Sequence, residues 1–516
     1  MLTPHQMTRQ QARHLLVRTG FTPTQAEVDA ITGKNAQSVM ADVIARAQTS
    51  KAQYAPPDFV SQAPPTPFGL LKSKDEQQAA RQQQLREGVE LKAWWMREML
   101  VTASPLAERM TLFWHNHFAT SQQKVIRSQA MWQQQQLFRS QALGSFSTLL
   151  HGVAKDPAML IYLDGANSRR EAPNENFARE VMELFTLGEA SQGGGYTEHD
   201  IKEVARAFTG WSVEREDFSF KYRRQAHDEG SKTVLGRSGS FDGDDVLDIL
   251  LAQPACSQFI VSKLWKEFVS PVPEPKEVKR IAQRFAQSNY AIATALADLL
   301  TTDAFWAESN RGSLIKSPVD LVVGTVRQFA FSYSDVMPFV LKTAQLGQNL
   351  LMPPNVKGWP GYTDWINATT LLERKRFTEQ LFRSVELRAD GKAMDMLRPA
   401  EMKRNELRTG MLTEMRNEVR TEIMQGSNAK ANLQTMRLLG REGVVRVAQS
   451  MATVSFDPDR FLATYGGFTD REPSEPLKMT LAGVLLASDA TQNIANGTVG
   501  VAYLRTLTMD PAYQLK

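Results

Sequence analysis

Asn174-Glu175-Asn176-Phe177-Ala178-Arg179-Glu180-Val181-Met182-Glu183-Leu184-Phe185-Thr186-Leu187-Gly188 sets the period from which the rest of the chain is read. At about 100° per residue, Phe177, Ala178, Val181, Met182, Leu184 and Phe185 fill one arc of a helix. Asn176, Arg179, Glu180, Glu183 and Thr186 fill the opposite arc. Such a stripe predicts an amphipathic helix with one face in a core. The polar arc holds two carboxylates three residues apart, with an amide and a guanidinium beside them. That pattern serves as an acid–base pair, as ligands for a hard cation, or as an ordinary solvated face.

The same spacing recurs at 35–47, 74–103, 105–118, 243–252, 255–269, 275–287, 290–302, 317–330 and 400–424. Thr22-Pro23 and Ser104-Pro105 each put a capping hydroxyl before a proline suited to a first helical turn. Thr197-Glu198-His199-Asp200 approximates a capping box ahead of Ile201, Val204, Ala205 and Phe208, and Gly210 closes that helix. The fold class is therefore mostly α, a multi-helix single body. Two segments break the pattern. Residues 55–70 hold Pro56, Pro57, Pro64, Pro65 and Pro67, an extended connector between an N-terminal helical unit (1–54) and a main helical body (71–385). Residues 213–236 alternate Phe218, Phe220 and Tyr222 with polar residues and turn through Gly230, which predicts a short inserted β-hairpin. The C-terminal region, 386–516, is rich in Arg, Glu and Met at helical spacing and is expected to pack on the body.

At 516 residues, 42% apolar and 22% charged, the chain can bury a large core and has the composition of an ordinary globular protein. Its 60 basic and 56 acidic residues are interspersed, which disfavours nucleic acid as a partner. No apolar run reaches the length of a membrane span. The single cysteine, Cys256, excludes an internal disulfide and a cysteine-based zinc cluster, and its setting in Pro254–Val261 reads as a buried helix. Met1-Leu2-Thr3-Pro4-His5-Gln6 lacks the basic-then-apolar order of a secretory signal. The expectation is cytoplasm, or periplasm by export alongside a partner.

Three further clusters could carry chemistry. Phe113-Trp114-His115-Asn116-His117-Phe118 offers a His-x-His pair, the residue type most used for transition metals. On a continuous helix the two rings point about 200° apart, so one ion could bind both only if the helix ended near Trp114. His117 reads as a satisfied core histidine, and His115 as the functional candidate. His227-Asp228-Glu229-Gly230-Ser231-Lys232 puts an imidazole and carboxylate across a glycine turn from an ammonium. A polar hairpin end with a surface ion pair would look the same. Met352 to Asn367 is too dense in Pro and Gly for a helix interior and reads as a structured loop. Its Trp359 and Trp365 can stack on a flat ligand face, such as a sugar ring, or plug a gap between helices. No phosphate-binding glycine loop, His-Glu-x-x-His zinc helix or Gly-x-Ser-x-Gly elbow occurs.

Several segments occur in one order: His14 to Phe21, Phe113 to Phe118, Asp156 to Asp164, Asn174 to Gly188, Tyr196-Thr197-Glu198, Ala207 to Trp211, His227 to Lys232 and Pro353 to Gly361. Together these resemble the large bacterial family called domain of unknown function 1800, over most of residues 10–380. Tyr362 departs from the pattern, where the family usually has a second glycine. The resemblance implies a mostly helical protein, commonly exported and often encoded beside a sulfatase-like protein. It implies no particular activity.

Two functions compete on this reading. The first is a hydrolase-like enzyme in which Glu180, Glu183, His115 and His227 are catalytic or ligate a divalent metal. Arg179 and Lys232 would then hold an anionic part of a polar substrate, and Trp359 and Trp365 would bind it. The suggestion that this substrate is a carbohydrate comes from the sulfatase-like association and is analogy. The second is a non-catalytic helical partner, or maturation factor, of a sulfatase-like protein, its polar stripes being buried networks that fix helix register.

Overall fold

A computed structural model describes residues 3–62, 65–66, 70–214, 216–389, 450–451 and 453–516. It is 60% helical, with two small antiparallel strand pairs. The helical spacing read from the sequence marks real elements: Ala36–Gln48, Lys74–Val101, Pro105–His117, Gly243–Leu251, Pro254–Phe268, Pro275–Gln287, Ile292–Leu300 and Pro318–Gln328. The spacing at 400–424 lies outside the described residues. Thr197 and Asp200 exchange the two hydrogen bonds of a capping box ahead of Glu198–Ala207. At the second helix the cap is Thr24, paired with Glu27, rather than Thr22. Among the described residues, no helix is long and apolar enough to cross a membrane.

Two apolar cores organise these helices. The first gathers Leu15, Val39, Met110, Val181, Ile260 and Leu296 among others, so the N-terminal helices pack in it with the middle of the chain. The second forms around Trp94, Trp95, Val322, Phe329, Phe382, Leu481 and Leu504, and takes in the C-terminal helices Pro458–Ala463, Glu475–Leu485 and Gly500–Thr508. The proline-rich connector contributes Phe59 to this second core from a short 3-10 turn, Asp58–Ser61. Cys256 is buried in the first core, and burial pushes its thiol up to about 12.

The inserted segment forms two hairpins where one was expected. Trp211–Val213 pairs with Phe220–Tyr222, and Lys232–Val234 pairs with Arg237–Gly239. Leu235 and Gly236 both take positive φ (49° and 77°), the turn that suits a two-residue hairpin. Alternation revealed the strand at 220–222, but the second hairpin carries too few apolar residues to show a period.

The opening stretch also departs from a uniform α-helix. Glu175–Glu180 is α-helical, whereas Val181–Leu187 widens into a π-helix ended by Gly188 at φ 81°. The Thr186 hydroxyl bonds back five residues to the Val181 carbonyl at 2.5 Å. The wider turn carries Thr186 out of the polar arc into full burial and leaves Leu184 half-exposed. Such π turns recur at functional sites.

Candidate functional site

The Pro105–His117 helix is continuous through its last residue, and its two histidines consequently face different surroundings. His115 is 1% exposed among the rings of Trp95, Phe138 and Trp359, at centroid distances of 5.7, 5.9 and 5.4 Å. Its Nε2 has no hydrogen-bond partner among the described residues, and burial pushes its pKa down to about 3. His117 lies on the other side, against Phe185 and Phe259. Its Nε2 is 3.1 Å from the Phe185 carbonyl and its Nδ1 is 3.0 Å from Lys263 Nζ. A carbonyl only accepts, so Nε2 carries the proton and Nδ1 accepts from the lysine. Burial and then the Lys263 charge hold His117 well below the usual imidazole range. The one-ion reading of the His-x-His pair therefore fails, because the helix does not end at Trp114.

Both acceptors for this pair come from the π turn. Lys263 Nζ also donates to the Leu184 carbonyl at 3.3 Å. Leu184 and Phe185 lie in the last turn of the widened helix, where carbonyls have no helical partner and seek other donors. Lys263 comes from the Pro254–Phe268 helix, with Nζ 4.9 Å from the Phe259 ring. Removal from water, then the neighbouring Lys266, pushes its ammonium down to about 7.

His117 and Lys263 line a cleft of about 420 Å³. Leu112 packs on the second core and Phe113 on the first, so the cleft these two also line lies on the seam between the cores. Arg109 closes one wall. It donates to the Gly20 carbonyl, to Glu267 at 2.6 Å and to Asp320, while Lys516 Nζ meets Asp320 at 2.7 Å. Burial pushes the Asp320 carboxyl up, but the charges of Arg109 and Lys516 outweigh it and hold the group well below the usual range. The cleft lining carries five basic side chains (Arg109, Lys263, Lys266, Lys357, Lys516) against two acids (Glu267, Asp320).

The other wall is the 353–367 loop. Its backbone N–H at Trp359 donates to Asn116 Oδ1 at 2.7 Å, joining the loop to the Phe113–Phe118 motif. Gly358 takes φ 89°, and any Cβ there would overlap Asn116, so glycine is required for that approach. Trp359 is buried against His115, whereas Trp365 and the exposed Tyr362 face the cleft. Of the two tryptophans, only Trp365 is set where it could touch a ligand.

The remaining candidates divide. Glu180 and Glu183 are both half-buried. Burial and the Glu183 charge raise the Glu180 pKa, against Lys357 and Arg179, so this carboxylate lies within the electrostatic reach of the loop. Arg179 holds Glu198 through two 2.8 Å contacts. His227 and Lys232 belong to a separate polar cluster at the hairpins and do not line the cleft. His227 Nδ1 is 2.9 Å from the Thr209 carbonyl. Lys232 is 1% exposed and donates to the Asp228 and Gly230 carbonyls at 2.5 and 3.0 Å. Asp228 is taken by Arg206 at 2.7 Å. Among the described residues, no three His, Cys, Asp or Glu side chains gather where a metal could sit, so Glu180 and Glu183 have no third ligand beside them.

Lys263 escaped the sequence reading. The available signal was a lysine one turn after Phe259 in the Pro254–Phe268 helix, together with the two histidines at the end of another.

No curated protein and no solved structure matches the chain significantly. Its motifs in family order, the helical fold and the docking of the Gly358 loop on Asn116 are accompanied by a match over residues 14–514 to the family described as "Protein of unknown function (DUF1800)", and the chain belongs to that family.

Proposed function

We propose that the cleft on the seam is the site of an enzyme, hydrolase-like in its chemistry, that acts on a polar, anionic small molecule. The observation that carries this reading is the His117–Lys263 contact of 3.0 Å at a cleft wall rich in cations. A lysine pushed to about 7 exchanges protons near neutral pH, which is the property of a general base. His117 keeps a fixed tautomer through the Phe185 carbonyl and so holds the amine in place. Lys357 and Lys266 supply charge for an anion, and Trp365 with Tyr362 supplies a face for a ring, as in a sugar acid. Glu180 does not line the cleft and bears on this set through its charge, which Lys357 senses.

A panel of nitrophenyl acetate, phosphate, sulfate and glucuronide tests the proposal. Lys263→Met should reduce turnover of the best anionic member by roughly 10²–10⁴-fold with an unchanged fold, as loss of a general base does. Absence of turnover across the panel, combined with no glucuronate binding by NMR, would refute it.

A second reading has an observation of its own. Lys232 and His227 are buried and held by backbone carbonyls, and Arg179 is paired with Glu198 at the surface, as they would be in a helical partner of a sulfatase-like protein. A stoichiometric complex with such a protein, with no activity in either panel or cell extract, would favour it.

A further inference from the structure

We propose that Lys263 is a nucleophilic amine that captures a small anionic carbonyl compound as an imine within the cleft. This inference rests on the reading of the cleft as a site for anionic molecules and names the substrate class. A neutral lysine amine has two N–H bonds and one lone pair. At Lys263 both N–H bonds have acceptors, His117 Nδ1 at 3.0 Å and the Leu184 carbonyl at 3.3 Å. The position left over is the lone pair, and the amine lines the open cleft. Lys232, by contrast, donates to two carbonyls at 2.5 and 3.0 Å but is 1% exposed and lines no described cleft. Lys92 donates to Asn349 Oδ1 at 2.7 Å and is likewise fully buried. Lys263 combines an oriented lone pair with access.

Burial supports the same assignment, since an amine pushed to about 7 is substantially unprotonated at neutral pH. Lys266 and Lys357, both exposed on the cleft rim, suit a carboxylate or phosphate carried by the carbonyl compound. In the step, the Nζ lone pair forms a bond to the carbonyl carbon, and the carbonyl oxygen takes a proton from solvent water to become a hydroxyl, leaving hydroxide. Nζ loses one proton to His117 Nδ1. The C–O bond then breaks as that proton is passed to the departing hydroxyl and water leaves, giving a C=N bond whose nitrogen still carries its second proton. That proton goes to the hydroxide, so amine plus carbonyl gives imine plus water, with no oxidant or reductant.

Trapping with cyanoborohydride reads this out on the intact protein. Glyoxylate is the anionic probe and propionaldehyde the neutral one, each at pH 7 with peptide mapping by mass spectrometry. The expected result is a carboxymethyl adduct at Lys263 formed at least tenfold faster than at any exposed lysine, and absent from Lys263→Met. Lys357→Ala should lower the ratio of glyoxylate to propionaldehyde labelling at Lys263 severalfold, and an unchanged ratio overturns the anionic substrate class. Mapping on the unmodified chain does not depend on any variant folding. Labelling of Lys263 no faster than the exposed lysines overturns the proposal. If that occurs while nitrophenyl turnover still depends on Lys263, only the imine is lost; if turnover is absent too, the site itself is lost.

Discussion

His115 and His117 stand two residues apart on one helix, both buried, and yet they occupy two kinds of region. Around His115 the helix is sealed by Trp95, Phe138 and Trp359, and one ring nitrogen has no partner. Around His117 both ring nitrogens are engaged, by a carbonyl and by an amine that opens on a cleft. The difference shows that burial of an imidazole says little about its use. What distinguishes the second region is the network that fixes its tautomer and the cleft-lining lysine at the end of it.

The comparison breaks most severely at Arg109, which lies on the same helix and ties the cleft wall to Glu267 and Asp320. Arg109→Met leaves a buried carboxylate at Asp320 without its guanidinium and should cost about 3–5 kcal/mol in urea unfolding. A loss under about 1 kcal/mol would mean Lys516 alone suffices for Asp320.

Replacing each histidine by phenylalanine sharpens the contrast. His117→Phe orphans the Phe185 carbonyl and one N–H of Lys263, an expected cost of about 1–3 kcal/mol. His115→Phe removes a ring nitrogen that has no partner, so stability should change by less than about 1 kcal/mol or rise. Equal costs at the two positions would erase the distinction.

Acid tests the sealed region. The His115 ring is neutral in the fold down to about 3, whereas the unfolded chain binds its proton near 6.5. Between these values the unfolded state holds the extra proton, so stability falls as pH drops from 6.5 towards 3 and the penalty is complete below that. In His115→Phe the slope of unfolding free energy against pH near 5 should be shallower by about 1.4 kcal/mol per pH unit, one proton's worth. An unchanged slope would place a proton on His115 in the native state.

The smallest effect belongs to Glu180. Its half-buried carboxylate has no ion pair of its own among the described residues, so Glu180→Gln should alter stability by less than about 0.5 kcal/mol. Its signature is weaker turnover without a change in melting. A large melting shift would make it part of the scaffold.

Much of the fold was legible because periodicity and caps are local. The 275–287 helix was read residue for residue, and Thr197–Asp200 was recognisable as a capping box. The π turn is not legible, since α and π turns share the same apolar spacing over so few residues and Thr186 reaching back to Val181 leaves no mark in composition. The cleft was legible only in pieces. The Phe113–Phe118 and 353–367 motifs were read as separate clusters, and their joining through Asn116 and Trp359 spans 243 residues. Lys263 and His117 are 146 residues apart, and no local pattern couples them. His227 and Lys232 looked reactive by residue type, but type does not reveal that nearby carbonyls already hold them.

The account turns on the Lys263 amine being neutral and accessible near pH 7. Trace labelling with acetic anhydride from pH 5 to 10, quantified on the peptide that contains Lys263, measures this directly. The predicted rate rises with a midpoint near 7, while exposed lysines rise near their ordinary value of 10.5. A Lys263 that titrates with the other lysines, or stays unreactive at every pH, would contradict the account.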